Sequence, residues 1–359
     1  MVPALAVADA LRAEGAEVTF IGAQGRLEAE LVPKAGYELE LLNVRGLDRS
    51  NPLRAAGAAA LAARAVPAAR GILRRLRIDA VLGGGGYVAG PAGLAAASLG
   101  LPLVLTEADR HLGLANRLLA RRARRVCLAF PIAGREGERY VVTGRPVPAA
   151  ILEADRSAAR RRFGIGEAER CLLVFGGSQG ARSINLAALD AFVGADGRPP
   201  AKREFHVLHV AGHRDFPMAS ERLQAAGGLE GYTLLEYEPS LADTLAACDL
   251  VLARSGGSIF EIAAAGRPAV LVPYPHAAAD HQRANAEWMA EGGGALVIAD
   301  ASLDGPRLAA VAAGLLEDPD RLRTMAAASA ALARPDAARA VASEILAACH
   351  ERGASPKES

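Results

Sequence analysis

The chain is poor in cysteine and lysine, and it has no hydrophobic run of membrane-spanning length. Its four cysteines, Cys127, Cys171, Cys248 and Cys349, form no CxxC pair, and no HExxH occurs. Three of them lie in apolar strand-like or helical settings. That argues against a disulfide framework or a structural zinc site and fits a reducing cytoplasm. Apolar runs are strand-sized or broken by Arg and Gly, short of the roughly 18 residues a membrane span needs. The opening residues run directly into an Ala-rich helical pattern, so no secretory leader is expected. Before the tail the only lysines are Lys34 and Lys202, so arginine carries the positive charge.

What is present is length and alternation. At 359 residues, half of them hydrophobic, the chain exceeds one ordinary core and predicts two domains. Helical and strand-like segments alternate in both halves. The first half reads as a helix over Val2 to Glu14, strands at Ala16 to Ile21 and Tyr37 to Leu42, and a helix over Leu53 to Leu76 interrupted near Pro67. Further on come a small-residue helix from Gly90 and short strands at 80–82, 103–105 and 125–129. From Arg170 the alternation restarts. Alternation of this kind predicts an α/β fold of two Rossmann-like, doubly wound domains with a cleft between them. The boundary falls near residue 146, giving domains 1–146 and 147–359. A doubly wound sheet normally opens with a strand and a Gly-rich turn, yet this chain opens inside a helix. The expectation is that roughly a dozen N-terminal residues, carrying the central first strand, are missing, and that two strands are left unpaired.

Charge is uneven. Residues 50–130 hold 12 Arg against 3 acidic residues, a net of +9, whereas residues 151–359 have a net of −6. Arg64, Arg70, Arg74, Arg75 and Arg77 share one helical segment, and Arg121, Arg122, Arg124 and Arg125 follow another. Either this is a solvated basic face or it docks on anionic lipid. No aromatic residues interleave the arginines, so a nucleic-acid partner is not expected.

Four loops carry the chemistry. Gly83 to Gly86, followed by Tyr87, let the backbone approach a ligand or simply turn. Glu107, Asp109 and His111 cluster at a strand end, where they could do acid–base work or cap a helix. Gly176 to Arg182 (GGSQGAR) lies between a strand and a helix, as phosphate-binding turns do. The richest segment is ARSGGSIFEIAAAGRPAVLVPYPHAAADHQRANA, Ala253 to Ala286. Its loop Ser255-Gly256-Gly257-Ser258 opens a helix whose dipole favours an anion. Glu261 stands about one turn inside, placed to accept from vicinal hydroxyls. His276, Asp280 and His281 lack the spacing of a metal site. Gln282 and Asn285 can each donate to and accept from sugar hydroxyls. The combination points to a sugar nucleotide.

Together these segments resemble the MurG family, the lipid II-forming GlcNAc transferases among the GT-B glycosyltransferases. GGGGYVAGPAGLAA is similar to the family's GTGGYVSGPAGLAA. LTEADRHLGLANRLLARRARRVCLAFP resembles LHEQNxxxGLTNRxLAxxAxxVxxAFP, VTGRPVP resembles VTGNPVR, and FGGSQGAR is nearly identical to GGSQGAR. The match runs in order along nearly the whole chain. It implies an inverting hexosyltransferase with UDP-GlcNAc held by the C-terminal domain and undecaprenyl-pyrophosphoryl-MurNAc-pentapeptide, lipid I, by the N-terminal domain. It implies Ser178 at the diphosphate, Glu261 at the ribose, backbone near Glu238 at the uracil and Gln282 at the GlcNAc, with Gln179 also among the substrate-binding residues. Tyr87, Asp109, Arg145, Ser255, Gly256, Gly257, Ser258, His281 and Asn285 complete the expected binding set. Glu107, Asp109 and His111 are the catalytic candidates, and no metal or cofactor is implied. The resemblance further implies a peripheral enzyme on the cytoplasmic face of the cell membrane, contacting its anionic surface and a cell-wall synthesis complex.

There are departures. The family's GGTxGH loop, with its favoured base His, is not in the chain. Asp109 stands where the family has Asn, Pro148 where it has Arg, and Arg145 where it has Asn. The loop from Arg254 to Glu261 is one residue short. These bear on the acceptor more than the donor, and they keep an inactive chain among the readings. The alternatives are a GT-B transferase with another lipid acceptor, a non-hydrolysing UDP-GlcNAc 2-epimerase, and a catalytically dead UDP-GlcNAc-binding protein of the cell wall.

Overall fold

A computed structural model describes residues 1–25, 28–45, 52–177, 180–194, 203–239, 241–277 and 280–354. The chain divides into two compact units, Met1–Pro148 with Arg334–Ser359, and Ala149–Ala333. The first contains α1 (Val2–Ala13), β1 (Thr19–Ala23), α2 (Glu28–Lys34), β2 (Glu38–Leu42), α3 (Pro52–Arg75), β3 (Val81–Gly83), α4 (Gly86–Ser98), β4 (Leu103–Glu107), α5 (Leu114–Leu119), β5 (Arg125–Leu128) and β6 (Tyr140–Val142). The second runs through α6 (Ala150–Glu153), α7 (Arg156–Phe163), β7 (Arg170–Phe175), α8 (Arg182–Phe192), β8 (Phe205–Val210), α9 (Phe216–Ala225), β9 (Tyr232–Leu235) and α10 (Leu241–Ala247). It continues with β10 (Leu250–Ala253), α11 (Ile259–Ala264), β11 (Ala269–Leu271), α12 (His281–Glu291), β12 (Ala295–Val297), α13 (Gly305–Leu316) and α14 (Pro319–Leu332). The chain then returns to the first unit as α15 (Ala337–Ala354).

The second unit is an all-parallel sheet in the order β12-β11-β10-β7-β8-β9. Counted from β7 within the unit, this is 6-5-4-1-2-3, the doubly wound order, with its reversal between β7 and β10. Both strands are apolar runs because helices cover both sheet faces: Cys171–Phe175 and Leu250–Ala253 are buried throughout. Ligands in such sheets gather at the carboxyl ends of the two strands flanking the reversal. Those ends lead into the two Gly/Ser loops that the sequence singles out.

The first unit's sheet is in two pieces, β1-β2 and β3-β4-β5-β6, all parallel. Among the described residues β1 pairs only with β2 and β3 only with β4, so each keeps one unpaired edge, as the sequence leads one to expect. A boundary at 146/147 assigns the terminal helix to the second unit, but its packing assigns it to the first. Val341, Ala342, Ile345 and Ala348 of α15 share a buried cluster with Val7 and Leu11 of α1, Val104 of β4 and Cys127 of β5. Arg124 pairs with Glu351, and Arg125 Nε lies 3.1 Å from Glu344 Oε2, so α15 neutralises two arginines of the expected basic face.

Two helices differ from expectation. The stretch around Pro67 is one continuous helix, α3. A single Pro removes one hydrogen bond, and the packing of this long helix on α4 outweighs that cost. The glycine-rich helix starts at Gly86 rather than Gly90, because Gly85 (φ +78°) and Gly86 (φ +73°) take the left-handed turn at its entrance.

Candidate functional site

The turn after β7 is built on glycines that admit no side chain. A Cβ on Gly176 would stand 2.2 Å from the Ala181 nitrogen, and one on Gly180 (φ +77°) 2.2 Å from the Ala211 carbonyl oxygen. Ser178 and Gln179 lie outside the described residues. The turn opens α8, whose N-cap, Ala181, supplies no side-chain acceptor for the first-turn N–H groups. Behind the turn lies a polar chain missing from the sequence reading. Tyr232 Oη is 2.7 Å from His209 Nδ1, His209 Nε2 is 3.0 Å from Asn185 Oδ1, and Asn185 Nδ2 donates to Ala211 O and Asp215 Oδ2, each at 2.9 Å. Asp215, fully buried, also accepts from Arg182 and Arg214 at 3.2 and 3.3 Å. Burial alone would raise its pKa, but the hydrogen bonds from Arg214, Asn185 and Arg182 outweigh burial and hold it below the usual value.

The loop after β10 is stapled to the start of α12. Ser255 is fully buried; its hydroxyl donates to the Gln282 carbonyl at 2.7 Å, and its own carbonyl accepts from Asn285 Nδ2 at 3.0 Å. Ser255 and Asn285, expected as ligand contacts, are therefore occupied in holding loop to helix. Gln282 is half-buried, and its Oε1 accepts from the Tyr274 backbone N–H at 3.0 Å. Among the described residues its amide nitrogen has no hydrogen-bond partner; it lies 3.9 Å from the point where a Cβ on Gly256 would stand. Asp280, at the N-cap of α12, takes the left-handed conformation (φ +53°) where the chain enters the helix. Gly256, Gly257, Ser258, Glu261 and His281 are half-buried, with Glu261 the third residue of α11. Among the described residues no three His, Cys, Asp or Glu side chains converge as a metal site.

Arg254 sits beneath this loop. Its guanidinium donates to the carbonyls of Val272 and Pro273 at 3.1 and 3.3 Å, to Asp300 Oδ1 at 2.5 Å and to Ser183 Oγ at 2.8 Å. The only sequence signal was an arginine directly following an apolar strand. Glu238, after β9, is buried and accepts from Arg162 Nη2 at 2.7 Å, which fixes the backbone between β9 and α10.

In the first unit, Glu107 organises its loop. Oε1 accepts from the Ala108 and Asp109 N–H groups at 3.0 and 3.2 Å, and Oε2 from Gly113 N–H and Asn116 Nδ2 at 2.8 and 2.9 Å. A carboxylate so engaged is poorly placed to take a proton from a substrate, so the catalytic expectation for Glu107 gives way to a structural one. Asp109 is half-buried and His111 exposed on the same loop; Tyr87 and Arg145 are half-buried.

Residues 1–128 match the profile of the glycosyltransferase family 28 N-terminal domain, and residues 171–341 that of the family 28 C-terminal domain. The chain belongs to glycosyltransferase family 28. Within the family it is similar to the UDP-N-acetylglucosamine--N-acetylmuramyl-(pentapeptide) pyrophosphoryl-undecaprenol N-acetylglucosamine transferase of Moorella thermoacetica, 42% identical over 96% of this chain and 94% of that one. It is 43% identical to the Halorhodospira halophila transferase of the same name, over 95% and 92% of the two chains. Among solved structures it resembles Acinetobacter baumannii MurG, with a TM-score of 0.75, 28% identity and coverage of 96% and 95%. A UDP-GlcNAc 2-epimerase from Neisseria meningitidis bound to UDP-GlcNAc superposes with a TM-score of 0.68, 14% identity and 96% coverage of each chain, a likeness of fold alone. The family 28 assignment and the parallel sheets of both units agree with the two Rossmann-like domains of a GT-B glycosyltransferase.

Proposed function

We propose that the chain moves GlcNAc from UDP-GlcNAc to undecaprenyl-pyrophosphoryl-MurNAc-pentapeptide, making a β-1,4 bond with inversion in peptidoglycan synthesis. The observation that carries this is 42% identity over nearly the full length of an enzyme named for that reaction. The second unit holds the donor. The turn Gly176–Gly180 and the N-terminus of α8 take the diphosphate, whose negative charge grows as UDP departs and is met by fixed N–H groups. Glu261 accepts from the ribose hydroxyls, the backbone at Glu238 meets the uracil, and the amide nitrogen of Gln282 donates to the sugar. The first unit takes the acceptor, with Tyr87, Asp109 and Arg145 in contact. Proton removal from the muramyl hydroxyl falls to Asp109 or His111, since Glu107 is engaged.

The first unit also meets the anionic face of the membrane. Arg117, Arg121 and Arg122 stand beside Leu118, which is 63% exposed, a pairing suited to a lipid headgroup layer. Among the described residues no helix is long and apolar enough to cross a membrane.

The test is GlcNAc transfer from UDP-GlcNAc to a short-chain lipid I analogue by the purified chain. Disaccharide product with inverted linkage is expected. UDP-GlcNAc binding without transfer would sink the assignment and leave another acceptor or a binding role.

A further inference from the structure

Arg254 touches segments that carry the expected donor contacts from a largely buried position. It follows β10 and precedes Ser255, and its side chain is 13% exposed. Through Ser183 Oγ, 2.8 Å away, it reaches the first turn of α8, and Asp300 Oδ1 closes the triangle by accepting from both Arg254 and Ser183. On its other side it holds the carbonyl of Pro273 at 3.3 Å. That carbonyl belongs to the same peptide unit as the Tyr274 N–H, which donates to Gln282 Oε1 at 3.0 Å. A guanidinium on the oxygen of a peptide polarises it and strengthens its N–H as a donor. The Pro273–Tyr274 peptide is thus pinned with its N–H toward Gln282, and the oxygen of Gln282 is drawn to it. The amide can then present only its nitrogen to a ligand.

We propose that Arg254 is a positioning residue for donor-sugar selection, acting through the Pro273–Tyr274 peptide to fix which end of the Gln282 amide meets the sugar. This rests on the reading of Gln282 as a sugar contact. Released from Arg254, the peptide can rotate and the amide can turn over, exchanging a donor for an acceptor at the sugar. Discrimination between epimeric hydroxyls depends on that placement, whereas hold on the UDP portion does not.

The experiment compares wild type, Arg254→Met, Arg254→Lys and Gln282→Ala, and the double variant Arg254→Met/Gln282→Ala. The readouts are kcat and KM for UDP-GlcNAc and for its C4 epimer UDP-GalNAc, and the Kd of UDP. Arg254→Met should lower the preference for UDP-GlcNAc by about tenfold or more, with a smaller change in UDP affinity. Lysine cannot span the same acceptors and should fall between. In the Gln282→Ala background, Arg254→Met should no longer change the preference, because the two act as one unit. A parallel loss for both sugars with the preference intact, or additive effects in the double variant, overturns the proposal. If Arg254→Met does not fold by thermal melt, Ser183→Ala and Asp300→Asn loosen the same guanidinium and should shift the preference in the same direction; no shift in either overturns it equally. If wild type transfers no sugar to lipid I, the function fails separately, and the preference is read instead as the ratio of UDP-GlcNAc to UDP-GalNAc affinities.

Discussion

His209 Nε2 donates to the side-chain oxygen of Asn185 across 3.0 Å, and this bond gives a four-residue chain its direction. Asn185 Nδ2 faces two acceptors, the Ala211 carbonyl and Asp215, so its oxygen must face His209. Nε2 therefore carries the proton, and bare Nδ1 accepts from the Tyr232 hydroxyl. The imidazole is neutral. Burial pushes its pKa from 6.5 down to about 4 and pushes the Tyr232 hydroxyl well above its ordinary value.

The neutral imidazole sets an acid limit on stability. Its folded pKa lies below its unfolded one, so its contribution is fully present above pH 6.5 and is lost as pH falls toward about 4. The loss reaches about 3 kcal/mol at full protonation. Melting temperature measured between pH 7 and 4.5 should fall more steeply in wild type than in His209→Phe, which starts lower but lacks this titration. His206, also lowered by burial, remains in both. Equal acid slopes would count against the neutral assignment.

Gly180→Ala should damage the turn after β7, and Gly177→Ala much less. At Gly180 the new methyl meets the Ala211 backbone oxygen at 2.2 Å, whereas at Gly177 (φ +86°) it meets none of the described residues beyond its chain neighbours within 4 Å. The expected costs are about 2–3 kcal/mol for the first and about 1 kcal/mol for the second, which pays only for the left-handed backbone. UDP affinity should follow the same order. Calorimetry of UDP binding to both variants checks it, and equal affinities would show that the turn does not hold the nucleotide.

Glu107→Gln replaces one of two engaged oxygens by an NH2 that faces N–H donors. Stability should drop by about 1–3 kcal/mol and the KM for the acceptor should rise. The pH dependence of kcat should keep its shape. Disappearance of an ionisation from that profile would return Glu107 to the role of base.

The sequence disclosed the parts whose chemistry is local. The apolar runs Cys171–Phe175 and Leu250–Ala253 read directly as buried parallel strands, and Gly176 to Gly180 as a turn between strand and helix. The donor segment was legible as a set. Its internal division of labour was not, because Ser255, Asn285 and Gln282 look equally suited to a ligand until their partners are known. Ser255 and Asn285 turn inward, and among the described residues Gln282 is held by its oxygen alone. Arg254, Asn185 and His209 were silent because their partners are backbone groups or residues 15 or more positions away. The return of α15 was likewise hidden: an Ala-rich closing helix shows that it packs, but not on which unit.

That return has a consequence for how the protein is made. Residues 149–333 form an uninterrupted stretch and can complete their own core once they have emerged from the ribosome. The unit begun by the first residues cannot do so, because the side of β4 and β5 at Val104 and Cys127 is covered by Val341, Ile345 and Ala348. The part synthesised first is therefore finished last, and its apolar sheet face stays open through most of translation.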